Sequence, residues 1–216
     1  MYRILYEETQ AEIVEKKSRF IAYLKPVHSE EEAASFIEGV KKKHWDARHN
    51  CSAIVIGRNN EFTRCSDDGE PAGTAGKPML DVLLNEQVHD MAVVVTRYFG
   101  GVLLGTGGLV RAYQGAVKAA LEQAKILEKY AGYLLVIRTD YNGLGKIQYL
   151  AAKQGAFILD TRYSEDVIMR IVAKSEDTDG FLKKIQEATG GQASVGKSEE
   201  LFFGLLDGEV DRKSVV

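Results

Sequence analysis

The run Met91-Ala92-Val93-Val94-Val95-Thr96 constrains this chain more than any other segment, because it is apolar without alternation and has glycine-rich stretches on both sides. A strand with one wet face alternates apolar and polar residues, whereas an unbroken run of this length is the pattern of a strand covered on both faces. Asp90 to Arg97 is therefore expected at the centre of a sheet. Upstream lies Ser66-Asp67-Asp68-Gly69-Glu70-Pro71-Ala72-Gly73-Thr74-Ala75-Gly76-Lys77-Pro78. Downstream come Arg97-Tyr98-Phe99-Gly100-Gly101 and Gly105-Thr106-Gly107-Gly108. Each glycine-rich stretch enters an apolar periodic segment that reads as a helix, so the two are expected to form one site.

Glycine at a helix entry has two physical readings. A helix start carries unpaired N–H groups and partial positive charge, and glycine lets an anion approach them. Alternatively, glycine permits positive φ and close packing of chain on chain. Both readings stay open, with Lys77, Arg97 and Arg111 interleaved among the glycines. The familiar phosphate motifs do not fit. In Gly73-Thr74-Ala75-Gly76-Lys77-Pro78, proline stands where a P-loop needs Ser or Thr, and neither Glu70 nor Pro71 upstream supplies the first P-loop glycine. In Gly105-Thr106-Gly107-Gly108-Leu109-Val110, Val110 takes the place of the third dinucleotide-binding glycine.

The chain has 216 residues, 45% hydrophobic and 27% charged, enough for one large or two small cores and too apolar for disorder. No stretch reaches the roughly 20 apolar residues of a membrane span, and the N-terminus turns acidic too early for a signal peptide. A cytoplasmic location is expected. Cys51 and Cys65 are too few for a disulfide scaffold and are expected reduced and buried. The net charge of −3 gives no general basic footprint for nucleic acid, so any such binding needs a local patch.

Period-two alternation predicts strands over Tyr6 to Glu15 and Ser18 to Val27, turning at Lys16-Lys17. Ser29 with Glu32 predicts a capping box for a helix ending at Lys41-Lys42-Lys43. A hairpin is expected over Cys51 to Ile56 and Glu61 to Ser66, then a helix from Pro78 to Asn85. The clearest helix is Gly107 to Lys125, capped by Thr106 or Gly107. The pattern restarts after Gly132: a strand over Tyr133 to Tyr141, a helix capped by Asn142 and closed by Gly155, strands over Ala156 to Tyr163 and Asp166 to Lys174. A helix over Asp177 to Thr189 and a last strand over Glu200 to Leu206 complete the order βαββαβ, which is that of a ferredoxin-like domain. Asp207 to Val216 reads as a frayed tail.

Three side-chain groups invite chemistry. Asp67, Asp68 and Glu70 could hold Mg²⁺ against a phosphate, although ion pairing within a turn is the commoner use. His49 and Cys51 share a strand face and could imitate a Cys–His pair, although an apolar strand face explains Cys51 as core. Phe202 and Phe203 could stack on RNA, but neighbours on a strand face opposite sides, so at least one is core.

The segments DDGEPAGTAGKP and TRYFGGVLLGTGGLVRAY closely resemble the IMPACT/YigZ family of small cytoplasmic proteins. The resemblance covers Ser18 to Glu128 and, for the family's bacterial members, extends from Tyr133 to about Leu206. It implies an α+β chain with a ribosomal-protein/GHMP-kinase-type βα domain over 1–130, and a ferredoxin-like domain similar to the last domain of elongation factor G over 133–216. Eukaryotic members bind the activator of a starvation-sensing translation kinase; this chain is expected to lack their additional N-terminal domain, and that partner is not expected to carry over. What carries over is a translation-linked role in binding RNA, the ribosome or a translation-associated protein, with no catalytic residue, metal or cofactor. Lys77, Arg97, Tyr98, Gly107, Gly108 and Arg111 are expected to contact the partner. Asp67, Asp68, Gly69, Glu70, Gly73, Gly76, Gly100 and Gly101 are expected to support the motif, and replacing Arg97 and Arg111 by Ala to leave the fold intact. The alternative is a Mg-dependent phosphate-ester or nucleotide-binding enzyme of GHMP-like fold.

Overall fold

The structure, a computed structural model, describes residues 1–215 and divides into two compact α+β units, Tyr2–Leu127 and one built from Glu128 onward together with Met1. In the first unit the strands are β1 (Tyr2–Leu5), β2 (Thr9–Glu15), β3 (Ser18–Pro26), β4 (His49–Ile56), β5 (Phe62–Ser66), β6 (Val88–His89) and β7 (Met91–Tyr98). The helices are α1 (Glu30–Lys43), α2 (Gly76–Asn85) and α3 (Thr106–Glu122). Strands β2, β3, β7, β4 and β5 form an antiparallel sheet in that order, and β1 pairs in parallel with β6.

Strand β7 is the central strand, buried from Met91 to Arg97, as its unbroken apolar run predicts. One face of it carries Met91, Val93 and Val95, which join Phe20, Leu24, Cys51 and Val55 under Met79 and Leu83 of α2 and Tyr113 and Val117 of α3. The other face is covered by α1, where Ala33, Phe36 and Ile37 meet Val27, Ile54 and Ala92. Each fully buried Val of β7 contributes about 1.5–3 kcal/mol relative to exposure. Serving two layers at once is what makes the strand apolar throughout.

Local chemistry sets the element ends. Lys16 and Lys17 take φ of +45° and +66°, the left-handed pair of a two-residue hairpin turn, and put Glu15 opposite Ser18. The Ser29 hydroxyl accepts from the Glu32 N–H, while the Glu32 carboxylate accepts from His28 N–H, one residue before the position a capping box prescribes. Helix α3 is capped by Gly105, at φ +71°, and not by Thr106 or Gly107. An L side chain rarely adopts that backbone, so the first glycine of Gly105-Thr106-Gly107-Gly108 is the one the helix entry requires.

Strand β8 (Ile126–Thr139) starts in the first unit and runs without a break through Ala131 and Gly132, where the sequence suggests a restart. The second unit continues with α4 (Tyr141–Gln154), β9 (Phe157–Tyr163), β10 (Val167–Lys174), α5 (Ser175–Thr189), β11 (Ser194–Lys197), β12 (Leu201–Leu206) and β13 (Glu209–Asp211). Its strands pair antiparallel among themselves: β9 on β10, β10 on β8, β11 and β12 on successive parts of β8, and β13 on β12. Ile147, Phe181 and Ile185 of the two helices pack on Leu135, Ile137, Met169 and Ile171.

Two expectations are corrected here. Asp140, not Asn142, caps α4, its carboxylate accepting from Gly143 N–H at 2.7 Å. The segment expected to fray forms β13 and a 3-10 turn over Arg212–Ser214, with Val210 and Val215 packed near Phe203; Val216 lies outside the described residues. Phe203 is fully buried and Phe202 is 37% exposed.

Candidate functional site

The two glycine-rich stretches do meet, but on their buried sides. Glu70 from the first is 8% exposed, and its Oε1 accepts from Arg97 Nη1 at 2.7 Å and from the Tyr113 hydroxyl of α3 at 2.8 Å. Burial foremost, with the neighbouring Cys51 and Glu70, holds the Tyr113 phenol far above its ordinary value, so it stays a donor. Arg97, expected to meet a ligand phosphate, is thus corrected to a core residue: its side chain is 8% exposed and its charge is matched internally. A charge at that depth is stable only when paired, and Glu70 is the pair.

The other carboxylates of the Asp67-Asp68-Gly69-Glu70 turn serve separate partners. Asp67 accepts from the backbone N–H of Gly73, Ala75 and Gly76 at 2.8, 3.0 and 2.8 Å. The start of α2, which could have bound an external anion, is therefore filled by the chain's own carboxylate. Asp68 accepts from Asn50 N–H at 2.7 Å and from Lys41 Nζ at 2.9 Å. Three acidic residues thus point at three places, and among the described residues no three His, Cys, Asp or Glu side chains are grouped to share a metal ion.

Burial alone would raise the Asp67 carboxyl, but its three backbone donors together outweigh that and leave it below its usual value. A carboxyl depressed in the folded state stabilises the fold above its unfolded pKa, and that stability is lost as pH falls through the folded value. Asp67→Asn is expected to lose about 3 kcal/mol at pH 7, scaled to a charged hydrogen bond. The gap from wild type should begin to narrow as pH falls below about 4, near the unfolded carboxyl value, and close once pH is below the lower folded value. Urea melts across that range check it; a gap that stays constant with pH would contradict the assignment.

Two glycines are explained by backbone proximity. A Cβ on Gly76 would stand 2.7 Å from the backbone N and C of Ser66, and one on Gly100 would stand 2.0 Å from the Lys17 carbonyl carbon. Gly69, Gly73 and Gly101 have positive φ. Gly107 and Gly108 lie in the first turn of α3, whose N-terminus has no side-chain cap and no acidic residue. Arg111, one turn on, is exposed and has no partner among the described residues. Lys77 is exposed but its ammonium is held by Asp81 at 2.6 Å.

Tyr98, the last residue of β7, belongs to a chain of hydrogen bonds. Its hydroxyl donates to Asp46 at 2.9 Å and therefore accepts from His44 Nδ1–H at 2.9 Å; His44 Nε2 in turn accepts from the Tyr23 hydroxyl at 2.7 Å. Burial, then the charge of Lys43, lowers the His44 pKa, which favours the neutral tautomer this arrangement requires. The chain pins the segment after α1 to the end of the sheet.

That segment makes one wall of an open cleft of about 550 Å³ at the edge where β4 begins and β7 ends. Asp46, Arg48 and His49 line one side; Arg97, Phe99 and Leu103 line the other. The His49 Nδ1–H donates to the Asp68 carbonyl at 2.9 Å, leaving Nε2 and the Arg48 guanidinium without partners among the described residues. Phe99 is 54% exposed, Leu103 83% and Trp45 84%. Sequence reading missed Trp45, Arg48 and Leu103. The available signal was a single tryptophan placed among charged residues, where no amphipathic stripe accounts for it.

Cys51 is buried and Cys65 exposed, so the expectation of two buried thiols holds for one. Cys51 Sγ donates to the Asp67 carbonyl at 2.9 Å, and burial pushes its pKa up to about 12. His49 and Cys51 therefore bond to adjacent carbonyls of the DDG turn, which makes them supports of that turn.

Comparison with known proteins places both units. Residues 16–121 match the Impact N-terminal domain and residues 137–192 match a domain of unknown function, DUF1949, so the chain has the two-domain plan those models define. IMPACT family member YvyE of Bacillus subtilis is 41% identical over 198 residues, 92% of this chain and 91% of the relative. IMPACT family member YigZ of Escherichia coli is 39% identical over 187 residues, 86% of this chain and 92% of the relative. This chain belongs to the IMPACT family. A solved structure described as that of a hypothetical protein is 36% identical, covers 90% of this chain and 95% of its own, and superposes with a TM-score of 0.57.

Proposed function

We propose that this protein acts in translation by binding RNA on or near the ribosome through the open edge of its first unit. The observation that carries this is the exposed Phe99 and Leu103 lining one cleft with Arg48, whose guanidinium no acid neutralises among the described residues, together with exposed Trp45, next in sequence to the cleft residue Asp46, and the unpaired Arg111 in α3. Exposed aromatics with unpaired guanidinium groups are the means by which proteins hold single strands. Family membership supports the translation link. In this reading Arg111, with the N–H groups of Gly107 and Gly108, meets backbone phosphate, and Arg48 takes the role expected of Arg97. Tyr98 positions the cleft wall through Asp46, and Lys77 stands outside the contact.

The finer fold assignments belong to the same reading: a ribosomal-protein/GHMP-kinase-type first unit, and a ferredoxin-like second unit related to the end of elongation factor G. The order β9, β10, β8 and then β11 or β12, with helices packed on one face, supports the second. No observation favours the Mg-dependent enzyme, whose three proposed ligands are each committed elsewhere.

The test compares wild type with Arg48→Ala/Arg111→Ala in binding labelled single-stranded RNA and in sedimentation with ribosomes at two salt concentrations. The double variant is expected to lose about tenfold or more in affinity with unchanged thermal stability. Its salt dependence should also be shallower, by about 0.7 in slope for each phosphate contact removed. Equal binding by the two proteins would overturn the reading.

A further inference from the structure

The cleft between Arg48 and Phe99 combines features that a phosphate site alone would not need. Its lining includes Arg97, whose Nη1 is committed to Glu70 but whose Nε is buried without a hydrogen-bond partner among the described residues. Such an orphan costs about 1–3 kcal/mol and calls for an explanation. The Arg97 guanidinium carbon lies 5.5 Å from the centre of the Phe20 ring and 5.7 Å from that of Phe99, so aromatic faces border it. The same cleft is lined by an acceptor, His49 Nε2, an acidic group, Asp46, and a donor, Arg48. Donors and acceptors interspersed beside aromatic rings match the edge and face of a heterocycle. An acidic peptide would instead meet the carboxylate of Asp46.

We infer that this cleft receives one unpaired nucleobase of single-stranded RNA, its face against Phe99, its edge toward His49, and its phosphate on Arg48. The inference rests on the RNA-binding reading and specifies its ligand class. The volume of about 550 Å³ falls in the range of small-ligand pockets, roughly 300–1,000 Å³. The net charge of −3 agrees with a mode in which stacking outweighs phosphate contacts.

Trp45 is the sole tryptophan and precedes Asp46 of the cleft wall, so its fluorescence reports on this site without a label. A six-nucleotide single-stranded RNA, an abasic strand of the same length and tripolyphosphate are titrated against the full chain, with total RNA binding read separately by anisotropy. Saturable quenching by the RNA, at least tenfold weaker for the abasic strand and absent for tripolyphosphate, is expected. Phe99→Leu, which keeps an apolar side chain and removes the ring, should weaken RNA binding roughly tenfold, and Phe99→Tyr should retain it. Because Phe99 is 54% exposed, both variants are expected to melt like wild type.

Anisotropy that shows RNA binding with Trp45 fluorescence unmoved and Phe99→Leu unimpaired would overturn the base pocket while leaving RNA binding in place. Equal affinity for the abasic strand would also overturn it, in favour of phosphate recognition. Quenching by an acidic peptide in the absence of any RNA binding would overturn both readings and indicate a protein partner.

Discussion

Glu70→Ala is expected to cost about 3–5 kcal/mol of folding stability, the range for breaking one side of a buried ion pair. The substitution strands two donors at once, the Arg97 guanidinium and the Tyr113 hydroxyl, both of which end on the same carboxylate oxygen. With the two side chains 3% and 8% exposed, water does not reach the gap to replace the lost bonds. Arg97→Ala should cost a similar amount, so the ligand-binding variant suggested by the sequence would unfold the protein before it tested binding. The double variant Glu70→Gln/Arg97→Met should recover much of the loss, because it removes both charges together. Urea melts of Glu70→Gln, Arg97→Met and the double variant check this through the coupling energy. Additive losses would show that the pair is not the unit described above.

Gly100→Ala is expected to be the most damaging single change on the second glycine-rich stretch, with a loss above about 4 kcal/mol or no soluble protein. Its Cβ would lie 2.0 Å from the Lys17 carbonyl carbon and 2.4 Å from Ser18 N, and backbone atoms in a hairpin turn cannot rotate aside as a side chain can. The Gly100 N–H also donates to the Ser18 hydroxyl, so separating the segments breaks the bond that holds the loop carrying Phe99. Gly107→Ala is the control. The nearest atom to its Cβ is Arg111 Nη1 at 3.7 Å, an ordinary contact, and alanine is the better helix former. Soluble yield and thermal melting of the two variants separate a glycine needed for packing from one that the fold does not need.

Most elements were legible because their signals are local. The apolar run of β7, the Lys16-Lys17 turn, the serine before α1 and the glycine after α4 each act within a few residues, and each is found where its chemistry puts it. The misreadings share the opposite cause. Asp140 and Asn142 are both good caps, and choosing between them depends on where strand β8 ends. The tail after Leu206 is polar enough to fray, yet β13 forms because β12 offers it an open edge. The glycines were ambiguous because an anion cradle and a tight chain crossing use the same residue for the same lack of a side chain.

By itself, the sequence determined the family, the α+β class, the central buried strand and the presence of two linked glycine-rich stretches. Each of these follows from residue identity and spacing along the chain. Only the tertiary structure decided what the charges do. Asp67 and Glu70 are near neighbours in sequence, yet one fills the start of a helix while the other neutralises an arginine deep in the core. Arg48 and Leu103 are separated along the chain and line one cleft only because β4 and β7 pair His49 with Arg97. Whether a charged group is free for a partner depends on which opposite charge the fold brings within about 3 Å and on how much water remains there. Both are properties of the packed chain.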